Sequence, residues 1–168
     1  RLAVRAAAEL QGPVYLRFGR LAVPIIFGSD YRFEIGRGVQ LREGDDVTVI
    51  ATGLMVNEAL AAAELLKNEG ISARVINMAT IKPLDKAIVL QAARETGAIV
   101  TAEEHNILGG LGSAVCEAVC ESLPVPVVRV GVNDSFGKSG PAAELLKLYG
   151  LCAENIAARA KDALAMKK

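Results

Sequence analysis

The chain has 168 residues, 52% of them hydrophobic, and its 19 Lys plus Arg balance its 19 Asp plus Glu. That length supports one domain with a sizeable buried core, and a formal net charge of zero excludes an overall field that would draw nucleic acid or an anionic membrane surface. The three cysteines, Cys116, Cys120 and Cys152, are odd in number and form no CxxC pair, so they suggest neither a disulfide framework nor a zinc knuckle and suit a reducing cytoplasm.

In chain order, Leu2 to Leu10 carries a helix-like pattern and opens the sequence without an initiator Met, so the chain reads as a piece of a longer protein. No apolar run reaches the roughly 18 residues of a membrane span, and this opening lacks the continuous apolar stretch of an export signal, so a soluble, unexported protein is expected. After Gly12-Pro13 the run Val14-Tyr15-Leu16-Arg17-Phe18 predicts a strand. Between Gly19 and Gly38 the composition is that of a linker, with Pro24, Gly28, Gly36, Asp30, Arg32 and Glu34. Val39-Gln40-Leu41 then predicts a short edge strand.

A regular alternation follows. Val47 to Ala51 is a β-branched run; Met55, Val56, Ala59, Leu60, Ala63 and Leu66 recur at helical spacing until Gly70. Ala73 to Met78 predicts the next strand, and Asp85 to Glu95 the next helix, with Pro83 and Asp85 suited to its start. Ala98 to Ala102 predicts another strand, then a glycine-rich turn and a helix from Ser113 to Glu121. Val125 to Val130 predicts a further strand. Two helices close the chain, one opened by Gly140-Pro141 and ended by Gly150, the other running from Ala153 to the terminus. Strands joined by single helices require crossovers, so the fold class is α/β: a three-layer α/β/α domain around a mainly parallel, mixed sheet of about five strands. The domain boundary falls between residues 1–36 and 37–168.

The most suggestive local feature is Glu103-Glu104-His105-Asn106-Ile107-Leu108-Gly109-Gly110-Leu111-Gly112-Ser113, a strand end passing through glycines into a helix. Ligands favour the carboxyl ends of strands, and free helix N–H groups hold anions. The glycines match neither GxGxxG nor a Walker pattern, and two carboxylates precede them, so close helix–strand packing is the alternative use. His105 is the single histidine; without further ligands it makes no zinc site. Cys116 and Cys120, four apart on one helix face, read as small buried hydrophobes. Ser135, Ser139 and Thr52 have no base at a readable spacing and make no hydrolase triad. Arg17 and Arg20 stand at the end of the first predicted strand, where a guanidinium fork could meet phosphate oxygens, although a surface charge is the alternative.

Several stretches together carry a family resemblance. Gly44-Asp45-Asp46-Val47-Thr48-Val49-Ile50-Ala51-Thr52-Gly53, Glu58 to Leu66, Thr80-Ile81-Lys82-Pro83-Leu84-Asp85, Glu103-Glu104-His105 with Gly109-Gly110-Leu111-Gly112, and Ser139 to Leu146 resemble, in order and spacing, the C-terminal domain of transketolases. The resemblance implies that residues 1–36 are the last helix and strand of the middle, pyrimidine-binding domain plus a linker, and that 37–168 are the C-terminal domain. It implies a parent enzyme that moves a two-carbon ketol unit between sugar phosphates in the pentose phosphate pathway, with thiamine diphosphate and Mg bound by upstream domains. Partners would be the N-terminal and middle domains, in the same chain or a separate subunit, within a homodimer. No catalytic, cofactor or metal residue is implied here. Arg20, in Gly19-Arg20-Leu21-Ala22-Val23-Pro24, resembles the family's substrate-phosphate arginine. The 1-deoxyxylulose-5-phosphate synthases and the β subunits of 2-oxoacid dehydrogenases share the domain type, and a stand-alone anion- or nucleotide-binding module is the reading from a different class.

Overall fold

The computed structural model describes residues 1–167. Its strands are β1 Val39–Arg42, β2 Val47–Ala51, β3 Ala73–Asn77, β4 Ile99–Asn106 and β5 Val127–Val132; its helices are α1 Leu2–Glu9, α2 Met55–Asn68, α3 Lys86–Thr96, α4 Leu111–Ser122, α5 Ala142–Leu148 and α6 Ala153–Ala165. The sheet order is β1-β3-β2-β4-β5, with β3, β2, β4 and β5 parallel and β1 antiparallel to β3. This is the mixed α/β/α sheet the alternation predicts.

Strand periodicity divides the core. In β2, Val47, Val49 and Ala51 join α2 and α6 on one face, while Ile50 joins α3 and α4 on the other. Every residue of β2 and β3 is buried, as expected for parallel strands covered on both sides. The α2–α6 contact is built on Ala59, Ala62, Ala63, Ala157, Ala160 and Ala163, whose small side chains let two helices lie close over the sheet. At the start of α3 the Asp85 carboxylate accepts from the Ile88 N–H at 3.2 Å, and Gly97, with φ of 66°, ends the helix in a left-handed turn that a β-carbon would strain.

The structure departs from expectation at several places, and β5 is Val127–Val132 where the sequence predicts Val125 to Val130. Strand β4 runs on through Glu103 and His105 to Asn106, and α4 begins at Leu111 rather than Ser113. Val14 to Phe18 forms no strand: it pairs with none among the described residues, and a strand exists only through ladder hydrogen bonds to a neighbour. Its Tyr15 and Phe18 are 86% and 66% exposed, α1 buries no residue, and the first buried residue of the chain is Gly44.

Candidate functional site

Alternation along β4 sends its two terminal glutamates to opposite faces of the sheet. Glu103 turns toward α4 and is 1% exposed. One of its carboxylate oxygens accepts from the Leu111 N–H and the other from the Gly112 N–H, both at 2.7 Å. A carboxylate here satisfies two otherwise orphaned donors and lies at the positive end of the helix dipole. The glycines make room for it: a β-carbon at Gly110 would run into the Glu103 carboxylate, and one at Gly112 would lie 2.8 Å from Arg129 Cδ and 2.9 Å from Thr101 Oγ1. The place the sequence offered to an external phosphate is therefore filled from within the chain. Close packing is the use these glycines have.

His105 is exposed, and its Nδ1 accepts from the Asn106 N–H at 2.7 Å. Asn106 donates to Asp134 Oδ1 at 2.8 Å and accepts from the Leu108 N–H at 2.8 Å, so the end of β4 leads into a hydrogen-bonded surface turn. Among the described residues no three His, Cys, Asp or Glu cluster as metal ligands. Cys116 and Cys152 are half-buried and Cys120 is exposed, all three as free thiols, so the buried reading fails for Cys120, which lies outside the α4 face that packs on the sheet. Burial pushes the Cys116 thiol up, partly offset by the Arg129 charge. Ser135 and Ser139 are exposed and Thr52 is half-buried.

Arg17 and Arg20, by contrast, meet the β4 end. Arg17 Nη2 donates to the Glu104 carbonyl at 3.2 Å, and a β-carbon at Gly19 would lie 3.8 Å from Glu104 Oε2. Beside this strap lies a cleft of about 310 Å³, with Arg20 and Glu104 among its charged walls and Val132, Leu145, Leu146 and Tyr149 among its apolar ones. The Tyr149 hydroxyl donates to the Phe136 carbonyl at 3.0 Å and ties α5 to the preceding loop. Among the described residues neither the Arg20 guanidinium nor the Glu104 carboxylate enters an ion pair. Sequence reasoning singled out the arginines and the Glu103-Glu104-His105 stretch separately but did not bring Arg17 and Arg20 to Glu104, and it missed the α5 wall, whose signal was Leu145, Leu146 and Tyr149 at helical spacing.

Fold and site together define an open, mixed-sheet α/β/α domain with one helix terminus sealed by its own carboxylate and a charged cleft at the strand ends. Residues 36–156 match the family model described as transketolase, C-terminal domain, and the chain belongs to that family. It is 48% identical over 151 residues to the 6-deoxy-6-sulfo-D-fructose transketolase subunit SqwH of Clostridium sp. (strain MSTE9), covering 90% of this chain and 47% of that protein. It is 44% identical over 158 residues to the transketolase of Homo sapiens, covering 92% of this chain and 25% of that protein. A solved structure described as a split gene transketolase, inactive beta4 tetramer, superposes with a TM-score of 0.96 at 54% identity over 99% of this chain and 55% of that one. The chain thus spans about half the length of the Clostridium subunit and of the split-gene structure and a quarter of the human protein. No helix among the described residues is long and apolar enough to cross a membrane.

Proposed function

We propose that the chain is the C-terminal part of a thiamine-diphosphate-dependent transketolase that transfers a two-carbon ketol unit between sugar phosphates in the cytoplasm, assembled as a homodimer with the N-terminal and middle domains. Family membership and the transketolase subunits among its relatives support this reading. Residues 1–36 are the end of the middle, pyrimidine-binding domain and its linker, and 37–168 are the C-terminal domain. The exposed apolar side chains before residue 30, Tyr15, Phe18 and Ile25 among them, support that division, since they suit a surface covered by the rest of a middle domain.

The observation that carries the site is the unpaired Arg20 guanidinium at the mouth of a strand-end cleft. Its planar fork of donors matches phosphate oxygens, so Arg20 binds and orients the remote phosphate of the substrate. The donor set of this chain does not fit thiamine diphosphate and Mg: no ligand cluster stands among the described residues, and the α4 terminus is filled by Glu103. On this reading the cofactor chemistry belongs to the partner domains.

The test is reconstitution with the upstream half, thiamine diphosphate and Mg, using xylulose 5-phosphate and ribose 5-phosphate. Ketol transfer is expected, and Arg20→Ala should raise KM about tenfold or more for phosphorylated substrates with little change in kcat, because a contact present in ground and transition states is uniform binding. An unchanged KM would remove the phosphate role from Arg20. Formation of 1-deoxyxylulose 5-phosphate in place of ketol transfer would move the chain to the synthase branch.

A further inference from the structure

Residues 11–27 carry Arg20 past the carboxyl end of the sheet. They lie outside every helix and strand, and all but Phe27 are exposed. Tyr15, Phe18 and Ile25 leave their apolar side chains to the rest of a middle domain, whereas Arg17 and Gly19 turn to β4. Among the described residues this segment makes one hydrogen bond, from Arg17 Nη2 to the Glu104 carbonyl at 3.2 Å, and enters no ion pair. Immediately beyond Gly19 the chain turns, at Arg20 and Leu21.

The receiving end of that bond is firmly placed. Glu104 follows Glu103, whose carboxylate is held by two α4 N–H groups at 2.7 Å. It precedes His105, whose carbonyl oxygen lies so near β5 that a β-carbon at Gly131 would stand 2.8 Å from it. A guanidinium that donates to a carbonyl makes a stronger bond than a neutral donor would, so one contact can fix a short segment. Fixing it matters for a phosphate ligand nearby. A guanidinium on a loose segment loses conformational freedom when it meets its anion, and that cost lowers the affinity unless the segment is ordered beforehand.

We infer that Arg17 is a positioning residue for Arg20: its hydrogen bond to the Glu104 carbonyl holds the segment so that the Arg20 guanidinium stands ready for the substrate phosphate. The role rests on the phosphate reading of Arg20. It gives β4 a part in substrate affinity, exerted through one backbone carbonyl. Because the acceptor is main chain, no change of the Glu104 side chain removes it, and Arg17 is the partner to substitute.

The experiment is steady-state kinetics of the reconstituted enzyme with Arg17→Met, which keeps the aliphatic stem and loses the donor, and Arg17→Lys, which keeps a charged donor. In Arg17→Met the KM for ribose 5-phosphate should rise about threefold to tenfold, the scale of one exposed charge-assisted hydrogen bond, with kcat little changed. Arg17→Lys should recover most of that loss. The KM for glycolaldehyde, an acceptor without a phosphate, should stay constant in both, which a general loosening of the fold or of the assembly would not allow. In the Arg20→Ala background, Arg17→Met should have no further effect on ribose 5-phosphate, since a residue that acts through another is silent once the other is gone. An additive effect in the double variant would mean that Arg17 meets the phosphate directly or through its charge, and would overturn the positioning role. An unchanged KM in Arg17→Met, or an equal rise for glycolaldehyde, would do the same. The two readings also part here. If Arg20→Ala itself leaves the KM for ribose 5-phosphate unchanged, the phosphate reading falls and takes the role of Arg17 with it; if Arg20→Ala raises KM and Arg17→Met does not, the phosphate reading stands and the positioning role alone is lost.

Discussion

Glu103 and Glu104 are neighbours in sequence and opposites in circumstance. Glu103 is buried with both oxygens satisfied by backbone N–H groups of α4, while Glu104 lies half-buried on the other face with its carboxylate unpaired. One residue type at adjacent positions thus serves the fold on one side of the sheet and remains available to a ligand on the other. A charge that is buried and fully bonded is committed to structure, whereas one that is accessible and unmatched has interaction energy left to spend on another molecule.

The sharpest way to break this contrast is to remove each carboxylate in turn and follow urea unfolding. Glu103→Leu leaves two N–H groups buried without acceptors and should cost about 3–5 kcal/mol, whereas Glu104→Ala should stay within about 0.5 kcal/mol of the parent. A cost below about 1 kcal/mol for Glu103→Leu would mean that the helix end finds other acceptors, and the contrast would collapse. Gly110→Ala tests the same corner from the glycine side; pressing a methyl group against the carboxylate should cost about 2 kcal/mol. A smaller loss is expected at α6, whose first residue, Ala153, donates its N–H to Glu58 Oε2 at 2.9 Å. Glu58 is only half-buried, so Glu58→Ala should cost about 1 kcal/mol, between the two β4 glutamates. The least effect is on rate alone. Iodoacetamide at mildly alkaline pH should label exposed Cys120 before Cys116, whose burial raises its thiol and leaves less thiolate. In Glu103→Leu the gap between the two cysteines should narrow as α4 loosens, and mass spectrometry of the labelled peptides reads both rates.

Much of the domain was legible because its signals are local. The β-branched runs of β2 and β3 and the helical spacing of α2 need no partner to be recognised, and Asp85 stands where a capping carboxylate is required. Val14 to Phe18 has equally good strand composition and forms none, since pairing is a property of the neighbour and not of the segment. The end of β4 was harder to place for the opposite reason: the apolar run stops at Ala102, and the polarity of Glu103, Glu104 and His105 hides how far the ladder continues. The glycines beside them pointed to a helix terminus suited to an anion. That the anion is Glu103, eight residues before the amide it caps, depends on a turn in three dimensions that spacing alone does not specify. Arg20 could be picked out as a phosphate candidate, but its company in the cleft comes from α5, more than 120 residues later.

Asp85 has a consequence for how the molecule opens. One oxygen caps α3 while the other accepts from the Gly38 N–H at 2.9 Å, at the threshold of β1. Two residues earlier, the Gly36 N–H donates to Thr80 Oγ1 at 2.9 Å. An edge strand of four residues would ordinarily fray by itself, but here its release also strips the cap from a helix on the layer below. Amide hydrogens of β1 and of the first turn of α3 should therefore exchange with solvent as one cooperative unit, so that the sheet's outer margin is guarded by a helix start more than forty residues further along the chain.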